Sequence, residues 1–168
     1  MKNKSDQIVQ EICLNALIAA LYVAITVAAT PISYNAIQFR ISEILVLFCF
    51  FNKRYSIGLS LGCLIANAFS PMATLDILFG TAATVLACLG MMFSKHLAIA
   101  IIFPVIFNAT LVAAELYIIG QPYWFSFLTV GAGELGVMIV GYILFILLRR
   151  NKEFFKRINA TQNVDFKF

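Results

Sequence analysis

The stretch Ile37 to Leu45, IQFRISEIL, sets an arginine and a glutamate three residues apart among isoleucine, phenylalanine and leucine. The chain around it is 62% hydrophobic, with 16 phenylalanines and only 12% charged residues, and its mean hydropathy is +0.93. A water-soluble domain carries about twice that charged fraction, so the composition specifies an integral membrane protein. Arg40 and Glu43 then stand where a full charge costs at least about 2.5 kcal/mol. Each needs a partner, a ligand or both.

Outward from this stretch, apolar runs separated by short polar breaks define six segments, 12–30, 36–51, 56–69, 75–93, 97–119 and 124–148, ahead of a short basic tail, 149–168. The breaks TPISYN, NKRY, SPMAT, SKH and GQPY are built from turn-forming or charged residues. Backbone groups in lipid must be satisfied within their own segment, and no segment alternates like a barrel strand. The expected fold is therefore all-α, a single membrane domain of six transmembrane helices. The first segment is longer than a signal-peptide core and is expected to be retained.

Basic residues mark every second connection: Lys2 and Lys4, Lys53 and Arg54, Lys95 with His96, then Arg149, Arg150, Lys152, Lys156 and Arg157. By the positive-inside rule both termini are cytoplasmic, and the outer loops are 31–35, 70–74 and 120–123. The tail reads as an orientation signal on a solvated end and calls for no nucleic acid. Cys13, Cys49, Cys63 and Cys88 have no C-x-x-C spacing and no histidine nearby, so they read as reduced core thiols without metal or disulfide roles.

Between Arg40 and Lys53 lie 12 residues, about 18 Å of helix against a hydrocarbon core of about 30 Å. The second helix is thus expected to begin before Arg40, placing QFRISE in the membrane or in a shallow outer vestibule. The third segment is short as well, and short neighbouring segments point to a transport site. Asn67, Asp76 and Glu115 lie near outer helix ends, while Asn108 and Glu134 lie about 15 Å deep. These groups predict a cavity opening outward.

Arg40 and Glu43, at i and i+3, can pair on one helix face. Asp76, Glu115 and Glu134 then have no basic partner left and must meet a proton, a cation or a donor-rich ligand. A carboxylate accepts two adjacent N–H donors in a plane, as on a guanine-like edge. Arg40, Gln38, Asn67 and Asn108 are candidates to orient such a ligand. Tyr34, Phe39, Tyr117, Tyr123 and Trp124 offer faces for a flat ring, or form an interfacial aromatic belt.

Helix 1 also carries Ala16, Ala20, Ala24 and Ala28, a small-x-x-x-small stripe that lets another helix approach closely, either within the bundle or from a partner subunit. Gly58, Gly62 and Ala66 form a shorter one, assigned to internal packing. No Walker motif, paired metal ligands or Ser-His constellation is present, so no metal, cofactor or enzymatic role is expected. Uphill transport driven by a nucleotide would need another chain to hydrolyse it.

The segments YNAIQFRISEIL, GLSLGCLIANAFSP, LDILFGTAAT, ELYIIGQPYW and GAGELGVMIVGY resemble, in this order, the QueT-type queuosine-precursor transporters, substrate-binding S components of energy-coupling factor (ECF) transporters. The resemblance runs from about Ile12 to Arg150. It implies a six-helix S-component bundle in the plasma membrane, a binding site near the outer face, docking on a membrane coupling subunit, and two cytosolic ATPases. It places the docking contacts on Ala16, Ala20 and Ala24, and implies a 7-deazaguanine substrate such as the aminomethyl precursor of queuosine. The substrate-site candidates are Gln38, Phe39, Arg40, Glu43, Asn67, Asp76, Asn108, Glu115, Tyr117, Trp124 and Glu134, with Glu134 or Glu115 on the purine-like edge and Asp76 or Glu43 on the ammonium. The alternatives are an autonomous proton-coupled carrier or an S component for another vitamin. Replacing Glu134 by Gln is expected to weaken ligand binding by about 1–3 kcal/mol; unchanged affinity in a titration would remove it from the site.

Overall fold

The computed structural model describes residues 4–29 and 40–163, and every regular element among them is helical. The helices are α1 (Lys4–Ala28), α2 (Ile41–Phe51), α3 (Tyr55–Asn67), α4 (Ala73–Phe93), α5 (Leu97–Ile118), α6 (Tyr123–Leu148) and α7 (Lys152–Arg157). Four of them, α1, α4, α5 and α6, are long and apolar enough to cross a bilayer, whereas α2 and α3 are shorter. From α3 to α6 the ends fall within two residues of the segments expected from the sequence. α1 begins eight residues earlier than expected, and its polar first turns are held by an ion pair between Glu11 and Arg54.

The helix carrying the opening motif departs from expectation. Arg40, with φ −84 and ψ 88, is not helical and precedes the first helical residue, Ile41, so the second helix does not run unbroken from 36. Residues 36–39, with Gln38 and Phe39, and the loop with Tyr34 lie outside the described residues. Ile41–Leu47 is a 3-10 helix and only Phe48–Phe51 is α-helical. A 3-10 segment rises about 2.0 Å per residue against 1.5 Å for an α-helix, so these residues reach further than α-helical counting allowed.

Helices α1, α3, α4, α5 and α6 pack as successive neighbours, and α2 lies against α1, α4 and α6, closing the bundle. The α1–α3 contact is close because α3 brings glycine to it. A Cβ on Gly58 would meet the Asn15 carbonyl oxygen at 2.5 Å, and one on Gly62 the Ala19 Cα at 3.0 Å. Asn15 Oδ1 accepts from the Gly58 N–H at 3.0 Å, satisfying a donor at the start of α3. The α3 small-residue stripe therefore serves internal packing.

On α1, Ile18, Tyr22 and Thr26 are buried, while Ala16, Ala20, Ala24 and Ala28 are exposed. The two rows are offset by two residues, about 200° around a helix of 3.6 residues per turn. One face belongs to the bundle and the other is presented outward. Cys13 shares the outward side, in contrast to the expected core position; Cys49, Cys63 and Cys88 are buried free thiols. α5 is interrupted at Ile101, since the ring of Pro104 would clash with the carbonyl of Ala100, four residues earlier.

The apolar core gathers at the end of the bundle where α2 finishes. The Phe51 ring stacks on Phe145 at 5.0 Å and lies 5.1 Å from Phe155, with Met91 and Leu97 buried in the same cluster. Phe155 belongs to α7, so the tail is not the solvated end expected from its charge. Its chain continues onto the last carbonyls of α2. Backbone N–H groups of Thr161 and Gln162 both donate to Phe51 O at 3.0 Å, and Asn163 Nδ2 donates to Phe50 O at 2.8 Å. In return Asn52 Nδ2 donates to Asn159 O at 2.8 Å, and the Tyr55 hydroxyl donates to Ile158 O. Helix-end carbonyls without intrahelical partners are thereby satisfied.

Phe155→Ala is expected to cost about 3 kcal/mol or more through loss of buried ring contacts, read as a lower melting temperature of the protein in detergent. Leu147→Ala, at an exposed position of α6, should leave that temperature nearly unchanged.

Candidate functional site

The polar residues singled out at membrane depth converge from α2 to α6. Arg40, Glu43, Asn67, Asp76, Asn108, Glu115 and Glu134 are all buried, none more than 4% exposed. They face one another across the helices, inside the bundle.

Arg40 Nη2 lies 3.2 Å from Asp76 Oδ1, joining the start of α2 to the first turn of α4. Asp76 thus has the basic partner that the sequence reading denied it. Glu43 stays close to Arg40 as well: its N–H donates to the Arg40 carbonyl at 2.9 Å, so the guanidinium acts on the Glu43 carboxylate besides its contact with Asp76. Asp76 Oδ2 accepts from the Ser70 hydroxyl, and Ser70 Oγ in turn accepts from Met72 N at 3.1 Å. Asn67 Nδ2 donates to the Asp76 carbonyl at 2.8 Å and to Thr81 Oγ1 at 3.3 Å. Gly80 makes room for this packing: a Cβ there would meet Asn67 Nδ2 at 2.9 Å and Arg40 Nη1 at 3.4 Å.

Glu43 is held from α1. The Tyr22 hydroxyl donates to Glu43 Oε1, and Thr26 Oγ1 donates to Ser42 Oγ at 2.6 Å. Both donors lie on the buried row of α1. Asn108 lies beside the carboxylates of Glu43 and Glu134, and Glu115 lies beside Asp76. One guanidinium and four carboxylates therefore share the cluster.

Several of these buried polar atoms have no hydrogen-bond partner among the described residues: Glu43 Oε2, Asn67 Oδ1, both polar atoms of the Asn108 amide, both oxygens of Glu115, and Glu134 Oε1. A buried polar group left without a partner costs about 1–3 kcal/mol. Unsatisfied groups concentrated in one cluster call for a common explanation, such as water, an ion or a ligand. Most of these atoms are acceptors.

Two candidates stand apart. Tyr117 is 65% and Trp124 73% exposed, and the Trp124 ring packs on Tyr123 and Phe127 at 5.2 and 6.0 Å. Their position fits the interfacial belt, the other reading given to them. Gln38 and Phe39 lie outside the described residues. The sequence reading missed Tyr22, Thr26, Ser42, Ser70 and Gly80. The available signal was Ile18, Tyr22 and Thr26 at i, i+4 and i+8, opposite the alanine stripe.

A family model described as QueT transporter matches residues 12–150, the region that contains every residue of this cluster. The chain belongs to the QueT transporter family. It is also 49% identical over 57 residues to the queuosine precursor transporter QueT of Lactococcus lactis subsp. cremoris (strain MG1363), a stretch that spans 33% of this chain and 34% of that relative. No solved structure matches the chain significantly. Family membership and four long apolar helices make it a multi-pass membrane protein of a transporter family.

Asp76→Asn removes the charged partner of a buried guanidinium and is expected to cost about 3–5 kcal/mol of stability. Glu115→Gln takes away a buried carboxylate that lies against a second one, Asp76, and has no well-formed hydrogen bond, so it should leave stability unchanged or raised. Chemical or thermal unfolding of both variants in detergent checks this; equal losses would contradict the division into paired and unpaired acids.

Proposed function

We propose that the protein is the substrate-binding S component of an energy-coupling factor importer, and that it captures a queuosine precursor of the 7-deazaguanine class in the Arg40–Glu134 cluster. The observation that carries this reading is the surplus of buried acceptors without partners. A 7-deazaguanine offers an N1–H and a 2-amino group on one edge, and its aminomethyl derivative adds an ammonium. Anionic or acceptor-rich ligands would leave the carboxylates uncompensated. Membership of the QueT transporter family and the name of the Lactococcus relative point to the same ligand class.

In this reading six helices span the plasma membrane with both termini cytoplasmic. The Arg54–Glu11 pair and the tail seated on Asn52 draw basic connections to one end of the bundle, away from the cluster, as the positive-inside rule requires of a cytoplasmic face. The role is binding and transport, without catalysis. The exposed Ala16, Ala20 and Ala24 row docks the coupling subunit, two separate cytosolic ATPases hydrolyse ATP, and the bundle reorients to release its ligand. The buried cluster must open to admit it.

Calorimetric titration of the purified chain should show saturable binding of 7-aminomethyl-7-deazaguanine and none of riboflavin or thiamine. Vesicles containing this chain alone should bind the ligand without accumulating it. Uptake driven by a proton gradient in such vesicles would establish an autonomous carrier and overturn the S-component assignment.

A further inference from the structure

The geometry points to a division of the cluster into two subsites with separate tasks: Asn108 with Glu43 and Glu134 reads the flat purine-like edge, and Glu115 binds the cationic arm. This assignment rests on the deazaguanine reading and deepens it.

The first subsite is mixed in character. Asn108, 4% exposed, lies within reach of two carboxylates, one from α2 and one from α6, and its amide makes no well-formed hydrogen bond to either. Tyr22 occupies Glu43 Oε1, leaving Oε2 as the acceptor that Glu43 presents, and Glu134 contributes Oε1. An N–H donor flanked by carboxylate acceptors is the complement of a guanine-like edge, in which a ring carbonyl accepts and an N1–H and a 2-amino group donate. Asn108 Nδ2 would donate to the ring carbonyl, and the carboxylate oxygens would accept the two N–H groups.

The second subsite is purely accepting. Glu115 follows Asn108 by seven residues on α5, hence lies on nearly the same face about 10 Å further along the axis. It sits beside Asp76. Asp76 is engaged by Arg40 through Oδ1 and by Ser70 through Oδ2, which makes it a positioning residue. Glu115 faces this second carboxylate and has no well-formed hydrogen bond on either oxygen. A fused bicycle bearing a one-carbon arm with a terminal ammonium would place its two polar ends toward two such subsites, and an ammonium, which only donates, suits a carboxylate with no donor already on it.

The test is to titrate wild-type protein, Glu115→Gln and Glu134→Gln with two probes, 7-aminomethyl-7-deazaguanine and unsubstituted 7-deazaguanine. Glu115→Gln is expected to weaken the aminomethyl compound roughly tenfold or more, the scale of a charge-assisted hydrogen bond, and to leave 7-deazaguanine unchanged. Glu134→Gln should weaken both by a similar factor. If Glu134→Gln does not fold, Asn108→Leu takes its place with the same expected outcome. Equal losses for both probes in Glu115→Gln, or a loss confined to the aminomethyl compound in Glu134→Gln, would overturn the division while leaving the deazaguanine reading intact. Folded wild-type protein that binds neither probe would instead remove that reading, and the subsites with it.

Discussion

The structure depends on one buried ion pair. Arg40 lies in a cluster with four carboxylates, and its contact with Asp76 ties the start of α2 to the first turn of α4. A lone guanidinium at this depth would be prohibitive; paired and surrounded by hydrogen-bonding groups it becomes tolerable. Asp76 in turn orders Ser70, Met72 and Asn67 at the junction of α3 and α4. With that pair neutralised, Glu43, Glu115 and Glu134 remain an acidic surplus in a bundle whose other end is aromatic and apolar. Such a surplus is a cost to the empty protein and an affinity for whatever donates to it.

α1 and α2 connect the two ends. α2 begins among the acids and finishes where the tail covers its last carbonyls, so α7 and the following residues brace the same short element that bears Glu43. α1 touches the cluster through Tyr22 and Thr26 on its buried row, while the alanine row on its opposite face is open. In the proposed function, a helix with one face on the polar cluster and the other presented outward would link binding with docking.

Most of the architecture was legible because breaks such as SPMAT and GQPY punctuate apolar runs cleanly, and the depth of Asn108, Glu115 and Glu134 follows from counting residues. The misreadings have physical causes. Asp76 was read as lacking a basic partner because its contact with Arg40 spans 36 residues of sequence and exists only once α2 and α4 are packed. Tyr22 was overlooked because a tyrosine in an apolar helix reads as packing, and only the fold shows its hydroxyl on a carboxylate. The basic tail read as solvated because charge dominates its composition, yet Phe155 anchors it. Trp124 and Tyr117 carry the same aromatic signal as a stacking platform, and which way they face is a tertiary property.

In the proposed function the buried acidic cluster is where the ligand binds. The most direct measurement is an experimental structure of the protein with 7-aminomethyl-7-deazaguanine bound. Binding in the cluster would place the flat ring against Asn108, Glu43 and Glu134, the ammonium on Glu115, and leave the Arg40–Asp76 pair intact beside them. Ligand seated elsewhere, with the cluster closed and its acceptors still without partners, would contradict it.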